Sequence, residues 1–163
     1  MLSPFLKKLL FVRQFLIDKG KIEILGENHV MLPVDLLAEL QAIDKEKVHT
    51  LVKKHIKTTM EVYSKKMGST NQGILKSSQD IFETFGLGQF QILKLDNTKK
   101  SAVVTISKSA IFDSGNKLKI KEADRCILEA SLEGMFHFLF KTEVNVKGKA
   151  NGKLSKQFII TKR

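Results

Sequence analysis

The sequence predicts an α+β fold: an antiparallel sheet of about four strands covered by helices, with a helical N-terminal part that contains a short β-hairpin. Three observations carry this. The segments QFQILKLD (89–96) and SAVVTIS (101–107) are apolar runs of strand length joined by the polar, turn-forming Asn97-Thr98-Lys99-Lys100. Two further strand candidates, 142–146 and 154–160, flank Asn151-Gly152, a dipeptide suited to the left-handed φ values of a type I′ hairpin turn. Between the two pairs lies one very apolar helix, and there is no alternating strand–helix series of the kind that builds a parallel sheet.

The elements follow in order. Ser3-Pro4 reads as a helix start, with Ser3 as N-cap and Pro4 at the first helical position. On that helix Phe5, Leu6, Leu9, Leu10, Phe11, Val12, Phe15, Leu16 and Ile17 form an apolar arc wider than one core-facing stripe, so one side is expected to pack on a second subunit. KIEIL, Gly26-Glu27-Asn28-His29 and VMLP read as a short hairpin, closed by Pro33 and followed by a short helix over 34–40. Asp44 is a plausible N-cap for a long amphipathic helix over 44–67. Its apolar positions Val48, Leu51, Val52, Ile56, Met60, Tyr63 and Met67 recur at helical spacing, and Gly68 sits where a C′ glycine belongs. The polar stretch 68–73 is the best internal linker. It divides a helical part with the hairpin, 1–72, expected to carry the dimer contact, from a ligand-binding region, 73–163, the two forming one compact unit. The second part opens with a helix over 74–85 that stops at Gly86. After the first strand pair come a polar connection and a helix over 122–140.

At 163 residues the chain is long enough for a sizeable core, and with 42% apolar and 28% charged residues it is neither disordered nor membrane-spanning by composition. Lys7, Lys8 and Arg13 interrupt the N-terminal apolar segment, and no run approaches the roughly 20 residues of a spanning helix. No membrane insertion and a cytoplasmic location are expected, and the single Cys126 fits a reducing compartment. The net charge of +11 invites a nucleic-acid reading. Yet only Arg13, Arg125 and Arg163 are arginines and the lysines are scattered through every segment, so a solvated lysine surface is the better reading. Specific nucleic-acid binding is not expected.

The helix over 122–140 holds most of the chemistry. Arg125, Glu129, Glu133 and His137 are each four apart and share one ridge, which reads as a solvated polar stripe of opposite charges. Glu133 and His137 alone do not make a metal site, which needs three or four ligands. On the other faces Leu132, Met135, Phe136 and Phe140 are apolar, while Ser131 and Gly134 are small. Together with Phe90 and Phe112 these could wall a flat apolar cavity, with His137 within reach of a buried ligand if its ring turns inward. Ordinary core packing competes with that reading for every one of these aromatics.

The order of residues over 74–160 resembles the vinyl-4-reductase-like family, the predicted hydrocarbon-binding domains. The resemblance rests on Gly86 and Gly88 before the first strand, a valine-rich strand followed by Ser109, Cys126 opening an apolar helix with internal Gly134, then Gly152 and Phe158. The KIEILGENHVMLP segment is similar to the N-terminal part of stand-alone archaeal members. The resemblance implies a fold like that of the vesicle-tethering TRAPP subunits, homodimers, and an enclosed apolar pocket. Aromatic sensors of the family hold a structural zinc, but the places of its last three ligands carry Asn145, Gly148 and Lys156 here, with Glu143 a poor substitute. No metal and no cofactor are therefore expected. The chain offers no catalytic constellation, and Gly86-Leu87-Gly88 precedes a strand instead of opening a helix, unlike a dinucleotide fingerprint.

The expected function is a non-enzymatic, homodimeric small-molecule binding or sensing domain. Its partner would be an apolar aromatic or acyl compound, bound by Phe90, Phe112, Ser131, Leu132, Gly134, Met135, Phe136, His137 and Phe140. A protein-interaction scaffold related in fold to the tethering subunits is the alternative, and a reductase acting on a vinyl group stands third.

Overall fold

A computed structural model of the chain describes residues 4–67, 71–119, 123–150 and 155–163. The chain forms two compact units, Met1–Pro33 and Val34–Arg163. In the first, helix α1 (Pro4–Phe11) is followed by an antiparallel three-stranded meander of β1 (Phe15–Asp18), β2 (Lys21–Ile24) and β3 (Glu27–His29).

Helix α1 is shorter than the sequence predicts. Arg13 adopts a left-handed φ of 53°, and the amides of Gln14 and Arg13 donate to the carbonyls of Leu9 (2.8 Å) and Leu10 (3.2 Å), a Schellman closure. Phe15, Leu16 and Ile17 then continue as a strand. The wide apolar arc is thus two elements read as one. The hairpin turn also sits earlier than expected. Leu25 and Gly26 both have positive φ, 55° and 83°, between the paired Ile24 and Glu27, and Lys19-Gly20 repeats that geometry between β1 and β2. Val30, Met31 and Leu32, expected in the second strand, lie outside any strand.

The second unit holds the helices α2 (Val34–Ile43), α3 (Lys45–Met67), α4 (Asn71–Thr84), α5 (Ala110–Leu118) and α6 (Ala123–Phe140). Its strands are β4 (Gln89–Asp96), β5 (Ser101–Ser107), β6 (Val144–Ala150) and β7 (Ser155–Lys162). Asp44 caps α3 as expected, its Oδ1 accepting from the Lys47 amide at 3.0 Å. Helix α4 begins at Asn71, so residues 71–73 of the expected linker are helical; residues 68–70, including the proposed C′ glycine Gly68, lie outside the described residues. The Asn151-Gly152 turn lies outside them as well, between strands that pair antiparallel from Val144↔Lys162 to Ala150↔Lys156.

The expected polar connection after β5 contains helix α5. Ser109 caps it, its Oγ accepting from the Ile111 amide at 3.3 Å, and Lys119 ends it in a left-handed conformation. Gly115, Asp113 and Asn116 lower its intrinsic propensity, but Ile111 and Phe112 are buried, and tertiary packing decides.

The four-stranded sheet has the order β4-β5-β7-β6, antiparallel throughout. The α+β architecture the sequence predicts is the one observed. Along β5, Ala102, Val104 and Ile106 are buried and alternate with less buried neighbours, so one face of the sheet carries the core. Across it, Ile92, Val104, Phe158 and Gly148 stand in one row. A methyl group on Gly148 would lie 3.1 Å from the Phe158 ring, so this glycine makes room for the aromatic opposite. Helix α6 lies against β6 and β7, α4 against β4, and α3 packs on α6. No helix among the described residues is long and apolar enough to cross a membrane.

Candidate functional site

The structure divides the predicted site residues between two places. Phe90, Phe112, Leu132, Met135, Phe136 and Phe140 belong to one contiguous buried cluster that also contains Val104, Ile106, Phe158 and Ile160, and Ser131 is buried on α6. The Phe136 and Phe140 rings stand 5.4 Å apart, and Phe90 stands 5.3 Å from Phe82 of α4. Gly134 and His137 point elsewhere. A Cβ on Gly134 would lie 2.5 Å from the Lys53 carbonyl oxygen, 3.0 Å from Ile56 Cβ and 3.1 Å from the Lys57 amide. Its lack of a side chain therefore serves the close approach of α3 to α6 and does not make room for a ligand.

A narrow gap separates α3 from α4. Met60, Tyr63 and Ser64 line one side and Ile74, Ser77, Ser78 and Ile81 the other, too close together to admit a water-sized sphere. Ser78 Oγ donates to the Ile74 carbonyl at 2.8 Å and lies 3.7 Å from Met60 Sδ. Met60 and Ile74 also belong to the core cluster, and α4 also carries Phe82, whose ring is tilted against that of Phe90. Sequence reading placed Met60 and Tyr63 on the apolar stripe of α3, but nothing in that spacing says that α4 stands off there.

The second place is a polar cleft of ≈ 460 Å³ between the basic face of α3, the polar ridge of α6 and the start of β6. Lys53 is its organising charge, with Nζ 2.6 Å from Glu143 Oε2 and 3.4 Å from Glu133 Oε2. His49 Nε2 lies 3.7 Å from Glu133 Oε1. His137 Nδ1 is 3.1 Å from Glu143 Oε1, but the angle is not that of a hydrogen bond, and this buried nitrogen has no hydrogen-bond partner among the described residues. The hydrogen bond from Lys53 holds the Glu143 carboxyl below its ordinary pKa. Burial lowers the pKa of His137, against the opposing pull of Glu143.

The expected solvated ridge is, over Glu129, Glu133 and His137, a half-buried seam. The Glu133 and His137 side chains are only 12% and 18% exposed. Their partners come from α3 and from Glu143, and Glu129 accepts from the Gly148 amide at 3.1 Å. The side chain of Arg125 lies outside those described. Helical spacing identifies residues that share a ridge but not what packs opposite them, which is why the four-residue periodicity suggested solvent.

Cys126 is buried, its thiol donating to the Lys45 carbonyl at 3.2 Å, and burial raises its pKa. That is the environment of an inert thiol. Among the described residues no group of three or more His, Cys, Asp or Glu side chains is placed to hold a metal ion. Gly148 and Lys156, at positions where the resemblance would put zinc ligands, face the Phe158 ring and sit over the Phe112 ring at 5.3 Å.

No family model matches the chain, and no curated protein matches it in sequence. Solved structures match it in fold. The phenol-responsive sensory domain of the transcription activator PoxR, crystallised with phenol, superposes with a TM-score of 0.69 at 12% identity, covering 98% of this chain and 92% of that one. A trafficking protein particle complex subunit 3 from Naegleria fowleri, covalently bound to palmitic acid, superposes with a TM-score of 0.50 at 11% identity, covering 80% of this chain and 95% of that one. The TRAPP-subunit-like fold is thereby shown. At such identities the likeness speaks for the fold alone.

Proposed function

We propose that the chain is a non-enzymatic, cytoplasmic small-molecule binding or sensing module whose ligand is an apolar aromatic or acyl compound. The observation that carries this is the likeness, over nearly the whole chain, to a domain that responds to phenol. A second fold neighbour holds an acyl chain. In this reading the ligand enters the α3–α4 gap, where α4 moves away from Met60 and Tyr63, and reaches the core that contains Phe90, Leu132, Phe136 and Phe140. Removal of apolar surface from water supplies the affinity, at about 25 cal/mol per Å². The serine hydroxyls along the gap give a phenol or carboxyl group something to bond.

Thermal unfolding of the full chain with phenol, alkylphenols and palmitate tests the proposal. A ligand at a hundred times its Kd contributes about 2.7 kcal/mol, which raises the Tm of a domain of this size by about 5–10 °C. Ser78→Leu fills the gap and should abolish the shift. If that variant does not fold, Ser64→Leu at the less buried rim replaces it. A panel that produces no shift, or a shift that survives a folded gap-filling variant, rejects the site.

A scaffold reading draws on a different observation. In the first unit Phe11 is 88% exposed and Ile17 65%, and Val30 and Met31 are exposed as well. We take this surface as the contact of a homodimer, which either function would use.

A further inference from the structure

From the polar cleft we infer a second, separate binding site in this chain, one for a phosphoryl group carried on a small molecule. The cleft brings four cationic side chains, Lys53, Lys54, Lys57 and Arg163, together with only two carboxylates, Glu133 and Glu143. Lys53 spans both carboxylates at 3.4 and 2.6 Å and so fixes α3 to α6 and to the start of β6, while Glu143 also feels the Arg163 charge. Lys54, Lys57 and the Arg163 guanidinium have no carboxylate within ion-pair distance among the described residues. Three cations thus line a concave wall beside a floor on which one ammonium meets two carboxylates, so the cleft keeps a surplus of positive charge, and such a surface concentrates the field on whatever enters.

The chemistry of the occupant follows from that inventory. A monocarboxylate would answer only half of the surplus left by four cations and two carboxylates, whereas a phosphoryl dianion balances it and offers three acceptor oxygens to two ammonium groups and a guanidinium fork. A volume of ≈ 460 Å³ is more than a bare phosphate fills and falls in the range of small-molecule sites. The lysines elsewhere on the surface lack this arrangement. Lys94, on β4 at the far edge of the sheet, is exposed and lines none of the described clefts.

Calorimetric titration of the full chain with pyrophosphate, ATP, inorganic phosphate, citrate and a short DNA duplex tests the inference. Pyrophosphate and ATP should bind at one site per chain, more tightly than inorganic phosphate or citrate. The double variant Lys54→Gln, Lys57→Gln should weaken pyrophosphate about a hundredfold, about tenfold for each charge-assisted hydrogen bond lost. Glu143→Gln releases Lys53 and removes a negative charge from the floor, so it should tighten binding a few-fold. Lys94→Gln should leave the affinity unchanged. No binding of pyrophosphate or ATP at millimolar concentration overturns the inference. So does a Lys94→Gln loss equal to that of the double variant, or tighter binding of DNA with every lysine contributing alike. These outcomes are independent of whether apolar compounds bind the α3–α4 gap.

Discussion

Gly134 sets how closely α3 can approach α6. Replacing it with alanine brings two opposed effects: alanine gains up to about 1 kcal/mol of helix propensity, while the new methyl sits 2.5 Å from a helix-bound carbonyl oxygen that cannot rotate away. Overpacking of this kind costs about 1–3 kcal/mol, so Gly134→Ala should be net destabilising by about 1–2 kcal/mol. Its urea midpoint should fall with an unchanged m-value, and a midpoint at or above that of the wild type would show that the helices can separate without cost. Gly134 also marks where residue-level legibility ended. A small residue among aromatics fits both a ligand cavity and a helix crossing, and only the position of α3 decides between them. His137 carried the same ambiguity. The spacing placed it one turn from Glu133, and it was the folding of Lys53 and Glu143 onto that ridge that turned its ring into the polar cleft.

Between elements, Gln41 fastens α2 to α6. It is 3% exposed, its Oε1 accepts from the Ile127 amide at 2.9 Å, and its Nε2 donates to the Leu37 carbonyl at 3.2 Å. Gln41→Ala removes the side-chain partner of a buried amide and should destabilise the fold by about 1–3 kcal/mol. Equilibrium denaturation measures it, and amide exchange at Ile127 should accelerate more than at residues on β5. Unchanged stability would mean that water replaces the side chain. Nothing in the sequence distinguishes this glutamine from a surface residue of α2. The strands β4 and β5 were legible to the residue because apolar runs, a polar turn and sheet pairing all agree there. Helix α5 was not, since Gly115 and two polar residues conceal an apolar face that only burial reveals. In α1 the error ran the other way, because a strand of apolar residues directly after a helix extends the same hydrophobic count without a proline or glycine to divide it.

For the molecule as a whole, the first unit is the part whose packing calls for a partner. Its 33 residues are too few to bury their own apolar surface well, and units below about 40 residues commonly need an additional staple or a partner. Leu9 is 4% exposed and Ile24 5%, so some of its apolar side chains are already covered, whereas Phe11 and Ile17 are not. A second copy of the chain presenting the same patch would cover them in a two-fold contact. Sedimentation velocity at micromolar concentration should therefore give the mass of two chains. Phe11→Glu and Ile17→Glu should each convert it to one while leaving far-ultraviolet circular dichroism unchanged, because both side chains lie outside the core. Leu9→Glu should behave differently, losing structure in the first unit along with any association, since the charge is placed in a buried position without a partner. A wild-type chain that sediments as a monomer at tens of micromolar, or charged variants that remain dimeric, would remove the exposed patch as the contact.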